Sequence, residues 1–273
     1  MDTTTTPFRF GLVGMPRSGP AWTELARRVE DLGFDSLLVP DNLAATSAVV
    51  ACTAAASVTT ALVVGPYVLA APLRTPGLVA ADAAALHALS GGRVELGLGA
   101  GRPDAEREAA ELDLPFGSPG ARVRHLERTI ESVRERTPDV RVTVAAAGPR
   151  MLALAGRTAD VVALGATPFA DEAALAAMAT TVLRSAGDRA RDVVLNVNLV
   201  AVGDRVPPWL EQRMGLTMTA LREAGAATFL SGGTDEMVDT LERRRATTGV
   251  SYVCAGTDHA DVLAPVVERL RGR

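Results

Sequence analysis

Short runs of Val, Leu and Ala alternate with stretches patterned at helical spacing along almost the whole chain, and this alternation constrains the fold most. The first run, Phe8 to Gly14, precedes a helix from about Ala21, where Trp22, Leu25, Ala26, Val29 and Leu32 share one face and Gly33 closes the end. Ser36 to Pro40 reads as the second strand, followed by an Ala-rich helix from about Ser47. Ala61 to Leu69 is the third, and Thr75-Pro76 opens the next helix with a capping hydroxyl and a ring suited to its first turn. Arg93 to Leu98 is the fourth, with a helix near 121–136. Then come Val140 to Ala145 before a helix begun by Pro149, Val161 to Leu164 before the helix 171–185, Val193 to Val202, and Val250 to Cys254 before a closing helix. Strands that alternate with helices pair in parallel through right-handed crossovers. The predicted fold is therefore α/β, a (β/α)₈ TIM barrel, with the open doubly wound sheet as the competing arrangement.

Chain length agrees with this reading. A barrel takes about 250 residues, and the chain has 273, so residues 1–273 are expected to form one barrel domain. Hydrophobic residues make up 48% and aromatics only 4%, so Ala, Val and Leu must carry the packing. A formal net charge of -4 offers no broad basic field for nucleic acid or anionic lipid. Residues 48–73 are apolar enough to suggest a membrane span, but Ser57, Thr59, Thr60, Gly65 and Pro66 break them into a helix and a buried strand. Met1-Asp2 and the threonines that follow lack the pattern of a signal peptide. Cys52 and Cys254 lie in apolar runs and read as buried thiols in a reducing compartment. A soluble, cytoplasmic protein is expected.

Two segments have room for extra structure: Arg102–Gly120 after the fourth strand and Gly203–Gly233 after the seventh. Both leave the C-terminal rim, where barrel enzymes carry their chemistry, and loops of that length serve as lids. The fourth strand runs into Gly97-Leu98-Gly99-Ala100-Gly101-Arg102. Its glycines either let backbone N–H groups approach a phosphate or form a tight rim turn; the spacing is not that of a dinucleotide fingerprint.

In order along the chain, Leu37-Leu38-Val39-Pro40-Asp41, the block from Leu86 to Gly101, Ala145-Ala146-Ala147-Gly148-Pro149-Arg150, Ala155 to Asp160 and Gly249 to Val253 resemble the signatures of luciferase-like oxidoreductases. The branch most similar is the actinobacterial one that uses coenzyme F420. The resemblance implies a luciferase-like barrel holding coenzyme F420, or FMN in the alternative, and hydride transfer to or from a small organic substrate. An FMN-dependent monooxygenase is the first rival, and a barrel that has lost redox chemistry the second. The resemblance also places a bulge with a non-proline cis peptide at Tyr67-Val68, against the cofactor ring. The cofactor phosphate falls by the same likeness near Ala146, Ala147, Gly148 and Arg150, where small residues expose amides at a helix start. Gly99, Gly101 and Arg102 complete the expected cofactor contacts, and Asp41, Asn42 and Tyr67 are the catalytic candidates.

The chain departs from the family pattern at Asn42, where many F420-using relatives carry a His that handles a proton. Asn cannot titrate near neutral pH. His87 and His125 fall within outer helices, and His259 follows the last strand in an acidic loop. Asp41, Tyr67, Asp104 and Glu106 are thus the remaining proton-handling candidates. Arg102 stands where relatives often have an aromatic, and reads either as partner to an anion or as a solvated rim charge. Only Thr137-Pro138-Asp139 separates a helix from the fifth strand, where relatives carry a longer insertion. A homodimer is expected, as the commonest soluble assembly.

Overall fold

The computed structural model describes residues 6–102, 104–204 and 206–273; Met1–Thr5, on which most of the reading of the N-terminus rests, lie outside the described residues. In chain order the elements are β1 (Arg9–Val13), α1 (Gly19–Asp31), β2 (Ser36–Val39), α2 (Ala48–Ala56), β3 (Val63–Pro66), β4 (Leu69–Ala70), α3 (Pro76–Ser90), β5 (Glu95–Gly99), α4 (Ala105–Glu111) and α5 (Pro119–Arg136). They continue as β6 (Arg141–Ala146), α6 (Pro149–Thr158), β7 (Val161–Leu164), α7 (Glu172–Ala186), β8 (Val194–Leu199), β9 (Ala201–Val202), α8 (Pro208–Met214), α9 (Met218–Glu223), β10 (Phe229–Leu230), α10 (Thr234–Thr248), β11 (Val250–Gly256) and α11 (Ala260–Leu270). Among the described residues, nine parallel strands form one sheet in the order β3-β2-β1-β11-β8-β7-β6-β5-β4. Its first and last members are consecutive in the chain, so β3 and β4 are two halves of one stave and the sheet closes on itself. A bridge from Val64 to Val94 joins the seam. The expected barrel is the observed one, and no helix among the described residues is long and apolar enough to cross a membrane.

Local chemistry sets the helix starts and ends. The Thr75 hydroxyl accepts from the Leu78 N–H ahead of Pro76, and the chain leaves α1 through Gly33 at φ 82°. Trp22 of α1 is buried and donates its indole N–H to the Ala51 carbonyl of α2 at 2.9 Å, which locks two neighbouring outer helices together. The main core lies between barrel and helices: Leu96 and Leu98 of β5, Val142 and Val144 of β6, and Leu37 and Val39 of β2 face outward into it. Alternate residues of the same strands face inward. Leu38, Val161, Val194, Tyr252 and Cys254 make a second cluster inside the barrel.

Two strands are interrupted. The third, expected from Ala61 to Leu69 with a bulge at Tyr67-Val68, breaks at that bulge into β3 and β4. The seventh, expected from Val193 to Val202, leaves the barrel after Leu199; Ala201–Val202 pairs in parallel with Phe229–Leu230 in a separate two-stranded sheet. Residues of the segment after β8 then bury their own cluster, including Leu210, Leu216, Leu221 and Phe229, apart from the barrel core. That compact unit is what the expected lid segment Gly203–Gly233 becomes, while Arg102–Gly120 contributes α4.

The seam where the stave breaks depends on missing side chains. A Cβ at Gly65 would land on the Glu95 carbonyl oxygen; one at Gly97 would land on the Pro66 carbonyl oxygen and lie 2.9 Å from Val68 Cγ1. At Gly99 it would lie 2.9 Å from Val68 Cγ2. The alternation in Glu95-Leu96-Gly97-Leu98-Gly99 thus puts leucines outward into the core and glycines inward to receive Val68. Gly97→Ala is expected to lower the unfolding free energy by more than about 3 kcal/mol, since the obstacle is backbone. Gly148→Ala, whose Cβ would meet nothing within 4 Å, should change it by less than about 1 kcal/mol. Urea denaturation of the two variants checks both.

Candidate active site

A cavity of about 560 Å³ opens at the C-terminal end of the barrel. Its walls are the ends of five staves: Pro40, Asp41 and Asn42 after β2, Tyr67, Val68 and Ala70 at the broken stave, Gly99 to Arg102 after β5, Ala145 to Gly148 with Met151 at β6–α6, and Gly165 after β7. The Tyr67-Val68 peptide is cis, as the resemblance implies. The structure therefore brings the expected cofactor contacts and Asp41, Asn42 and Tyr67 to one cavity, but not Arg150, which is exposed on α6, nor the proton-handling candidates Asp104 and Glu106.

Asp41 is buried, and both of its carboxylate oxygens accept from Arg74, at 2.6 and 2.8 Å; Oδ2 also accepts from the Ala70 N–H at 3.1 Å. These bonds tie the end of β2 to β4 and commit both carboxylate oxygens to protein partners. Asn42 forms a tight local turn, its Oδ1 accepting from the Ala44 N–H at 2.8 Å. Arg102 is half-buried and has protein partners. It donates to the Asp41 carbonyl at 3.1 Å and pairs with Glu108 of α4. Asp104 and Glu106 are exposed on or beside α4 and do not reach the cavity. His87 and His125 lie on outer helices, as expected, and His125 Nε2 is 2.9 Å from the Arg74 carbonyl oxygen. His259, expected in a loop, is buried in a short helical turn before α11.

Tyr67 donates its hydroxyl proton to Asn196 Oδ1 of β8 at 2.6 Å. The Asn196 amide cannot turn over, because its Nδ2 already donates to the Tyr252 carbonyl at 3.1 Å and to Cys254 Sγ at 3.2 Å. This belongs to a polar layer inside the barrel beneath the cavity. Ser36 Oγ lies 2.5 Å from the Tyr252 hydroxyl, and Glu95 accepts from Arg9 at 3.1 Å and from Thr143 at 2.8 Å. The Arg9 guanidinium also stacks 4.3 Å from the Tyr252 ring centroid. Burial works against its charge, but Glu95, with Tyr252 and Asp35, more than offsets that and raises its pKa. Burial likewise pushes the Tyr67 and Tyr252 phenols well above their usual range, with Cys254 and Glu95 adding to the effect. Cys254 is pushed up to about 12 by burial, and Cys52 is raised by burial as well. Sequence reasoning missed Arg74, Glu108 and this layer. Asn196 and Asn198, alternating with Leu195, Val197 and Leu199, were the visible sign of a strand with a polar inner face.

The α6 start lacks a side-chain cap. Gly148 is its N-cap, and the position of a Gly148 Cβ is open space. The amides of the first turn thus have no side-chain cap. Residues 6–206 match the model of the luciferase-like monooxygenase family. The chain belongs to this family. A curated relative, the F420-dependent glucose-6-phosphate dehydrogenase of Beutenbergia cavernae, is 37% identical over 177 residues, 53% of this chain and 51% of that one. The chain thus spans about half the length of that relative. Three solved structures share the barrel. The coenzyme F420 dependent tetrahydromethanopterin reductase of Methanopyrus kandleri superposes with a TM-score of 0.75 at 18% identity, covering 97% of this chain and all of that one. An F420-dependent secondary alcohol dehydrogenase in complex with an F420-acetone adduct gives 0.78 at 17%, with 97% and 100% covered. The oxygenating constituent of the Pseudomonas putida 3,6-diketocamphane monooxygenase, in complex with FMN, gives 0.72 at 15%, with 97% and 98% covered.

Two outcomes are expected. Arg74→Met should cost about 3–5 kcal/mol in urea denaturation by stranding the Asp41 charge, and adding Asp41→Asn should recover part of it. The buried thiols and phenols keep their protons in the native state, while the unfolded chain releases them near the ordinary values of 9.0 and 10.0. Stability should therefore fall as pH rises past 9, and Cys254→Ala should make that fall shallower.

Proposed function

We propose that the chain is a coenzyme F420-dependent oxidoreductase that transfers hydride between the deazaflavin and a small organic substrate. The observation that carries the reading is a single cavity that joins the Tyr67-Val68 bulge at one wall to the open amides of α6 at the other. The F420-dependent relative at 37% identity supports the same cofactor.

The residues present fit such a group. Val68, Ala70, Ala100 and Met151 offer an apolar bed for a ring, held in place by Gly97 and Gly99 behind Val68. Ala146, Ala147 and Gly148 are small enough to let an anionic tail reach the first-turn amides, and the helix dipole favours its charge. The one carboxylate in the lining, Asp41, is already neutralised by Arg74 and does not repel it. When bound, the deazaflavin supplies the carbon that carries the hydride. The protein binds, orients and excludes water. At about 560 Å³ the cavity lies within the usual range for ligand sites, about 300–1,000 Å³.

Fluorescence titration with coenzyme F420, with FMN in parallel, tests the reading. Saturable binding of the deazaflavin at micromolar concentration or below is expected, and Gly148→Asp should weaken it at least about tenfold by placing a carboxylate at the anion site. Preference for FMN would move the assignment to a monooxygenase on the same barrel. Binding of neither would overturn it in favour of a barrel without redox chemistry.

A further inference from the structure

Four polar side chains line the cavity among the described residues: Asp41, Asn42, Tyr67 and Arg102. Two of them are committed elsewhere. Asp41 has both oxygens on Arg74, and Tyr67 has its proton on Asn196. The other two can donate hydrogen bonds, and neither gives up a proton near neutral pH. Asn42 Oδ1 is taken by the Ala44 N–H, which leaves its Nδ2 group to donate. Arg102 keeps N–H groups beyond its bonds to the Asp41 carbonyl and Glu108.

The residues that carry these two donors meet at one peptide of the cavity wall. The carbonyl that receives Arg102 Nη1 belongs to the peptide joining Asp41 to Asn42, so the guanidinium lies against the Asn42 backbone. Its counter-charge is set back: Glu108 is buried on α4 and does not line the cavity. The cavity therefore meets the Arg102 cation at this wall, while its paired carboxylate lies outside the lining.

We propose that Asn42 and Arg102 form a paired donor site for the carbonyl oxygen of an α,β-unsaturated carbonyl substrate, whose C=C bond is the one reduced. This rests on reading the cavity as a deazaflavin-dependent hydride-transfer site. The substrate β-carbon receives the hydride supplied by the reduced deazaflavin, and a C–H bond forms there. The C=C electron pair shifts toward the carbonyl, whose oxygen takes the negative charge of an enolate, and the deazaflavin is left oxidised. The α-carbon then takes a proton from water as the C=O bond re-forms. Reduction of an isolated ketone would instead create an alkoxide, a far stronger base that calls for a proton donor at the oxygen. The wall offers fixed donors in place of an acid, which suits the less basic enolate.

A binding experiment separates this from activity. 4-Nitrophenol, a stable mimic of an oxygen that gains charge, is titrated by absorbance in the presence of saturating protein, with and without coenzyme F420. Bound to the wild type, it should ionise about one pH unit lower than in free solution. Arg102→Met should abolish that shift, Arg102→Lys should retain part of it, and Asn42→Asp should reverse it. Asn42→Leu, which leaves the Arg102–Glu108 pair intact, should reduce it and guards against a folding defect at Arg102. A wild-type shift that is absent, or that survives both Arg102→Met and Asn42→Leu, overturns the proposal. Turnover gives the second arm: with reduced F420, 2-cyclohexenone and open-chain enones should be reduced at least about tenfold faster than cyclohexanone. If F420 binds and the enones are inert, or the ketone is reduced as fast, this proposal falls and the hydride-transfer reading stands. Failure of F420 to bind overturns both.

Discussion

The close backbone approach of β3 to β5 is the constraint on which the rest of this barrel depends. Parallel strands ordinarily lie about 4.8 Å apart and continue without interruption. Here one stave stops at Pro66 and resumes at Leu69, and the barrel closes across the break because Gly65 and Gly97 lack the side chains that would hold the backbones apart. Val68 then drops into the space that Gly97 and Gly99 leave. The same adjustment turns the bulge into a wall of the cavity, so closure of the sheet and the shape of the site come from one set of contacts.

Below that wall the barrel holds a layer of polar groups that satisfy one another, beside the apolar side chains of Leu38, Val161 and Val194. Glu95 is 1% exposed and receives Arg9 from one side and Thr143 from another, while Asn196 is held at both ends of its amide. A buried charge is costly to leave half-paired, so this floor resists rearrangement. Tyr67 is the link between floor and wall. Its hydroxyl answers to Asn196, and its main chain begins the bulge. The rim has a comparable arrangement in Asp41, Arg74, Arg102 and Glu108, which join β2, β4 and α4 without placing a free carboxylate in the cavity.

Much of this was legible in the residues. The alternation of strand and helix, the caps at Thr75-Pro76 and Gly148-Pro149, and the small residues at 145–148 depend on neighbours in the chain, and they led to the barrel and to most of the cavity lining. Where partners are distant, the sequence was silent. Arg74 and Asp41 are 33 positions apart, and Tyr67 and Asn196 are 129; nothing local marks either pair. The glycines of the fourth strand were visible, but a phosphate-approach loop and a packing requirement place glycine in the same positions. Only the location of Val68 separates those readings. The departure of Ala201–Val202 from the barrel was hidden for a related reason, since an apolar strand reads alike whichever sheet it joins.

The separate cluster formed by Leu210, Leu216, Leu221 and Phe229 has an evolutionary consequence. Because these side chains bury one another and not the barrel, residues here can be exchanged, lengthened or trimmed without repacking the eight staves. Selection can thus remodel this corner of the rim at little risk to folding. Descendants of one barrel can diverge in what they admit while the bulge, the floor and the helix start at Gly148 stay as they are.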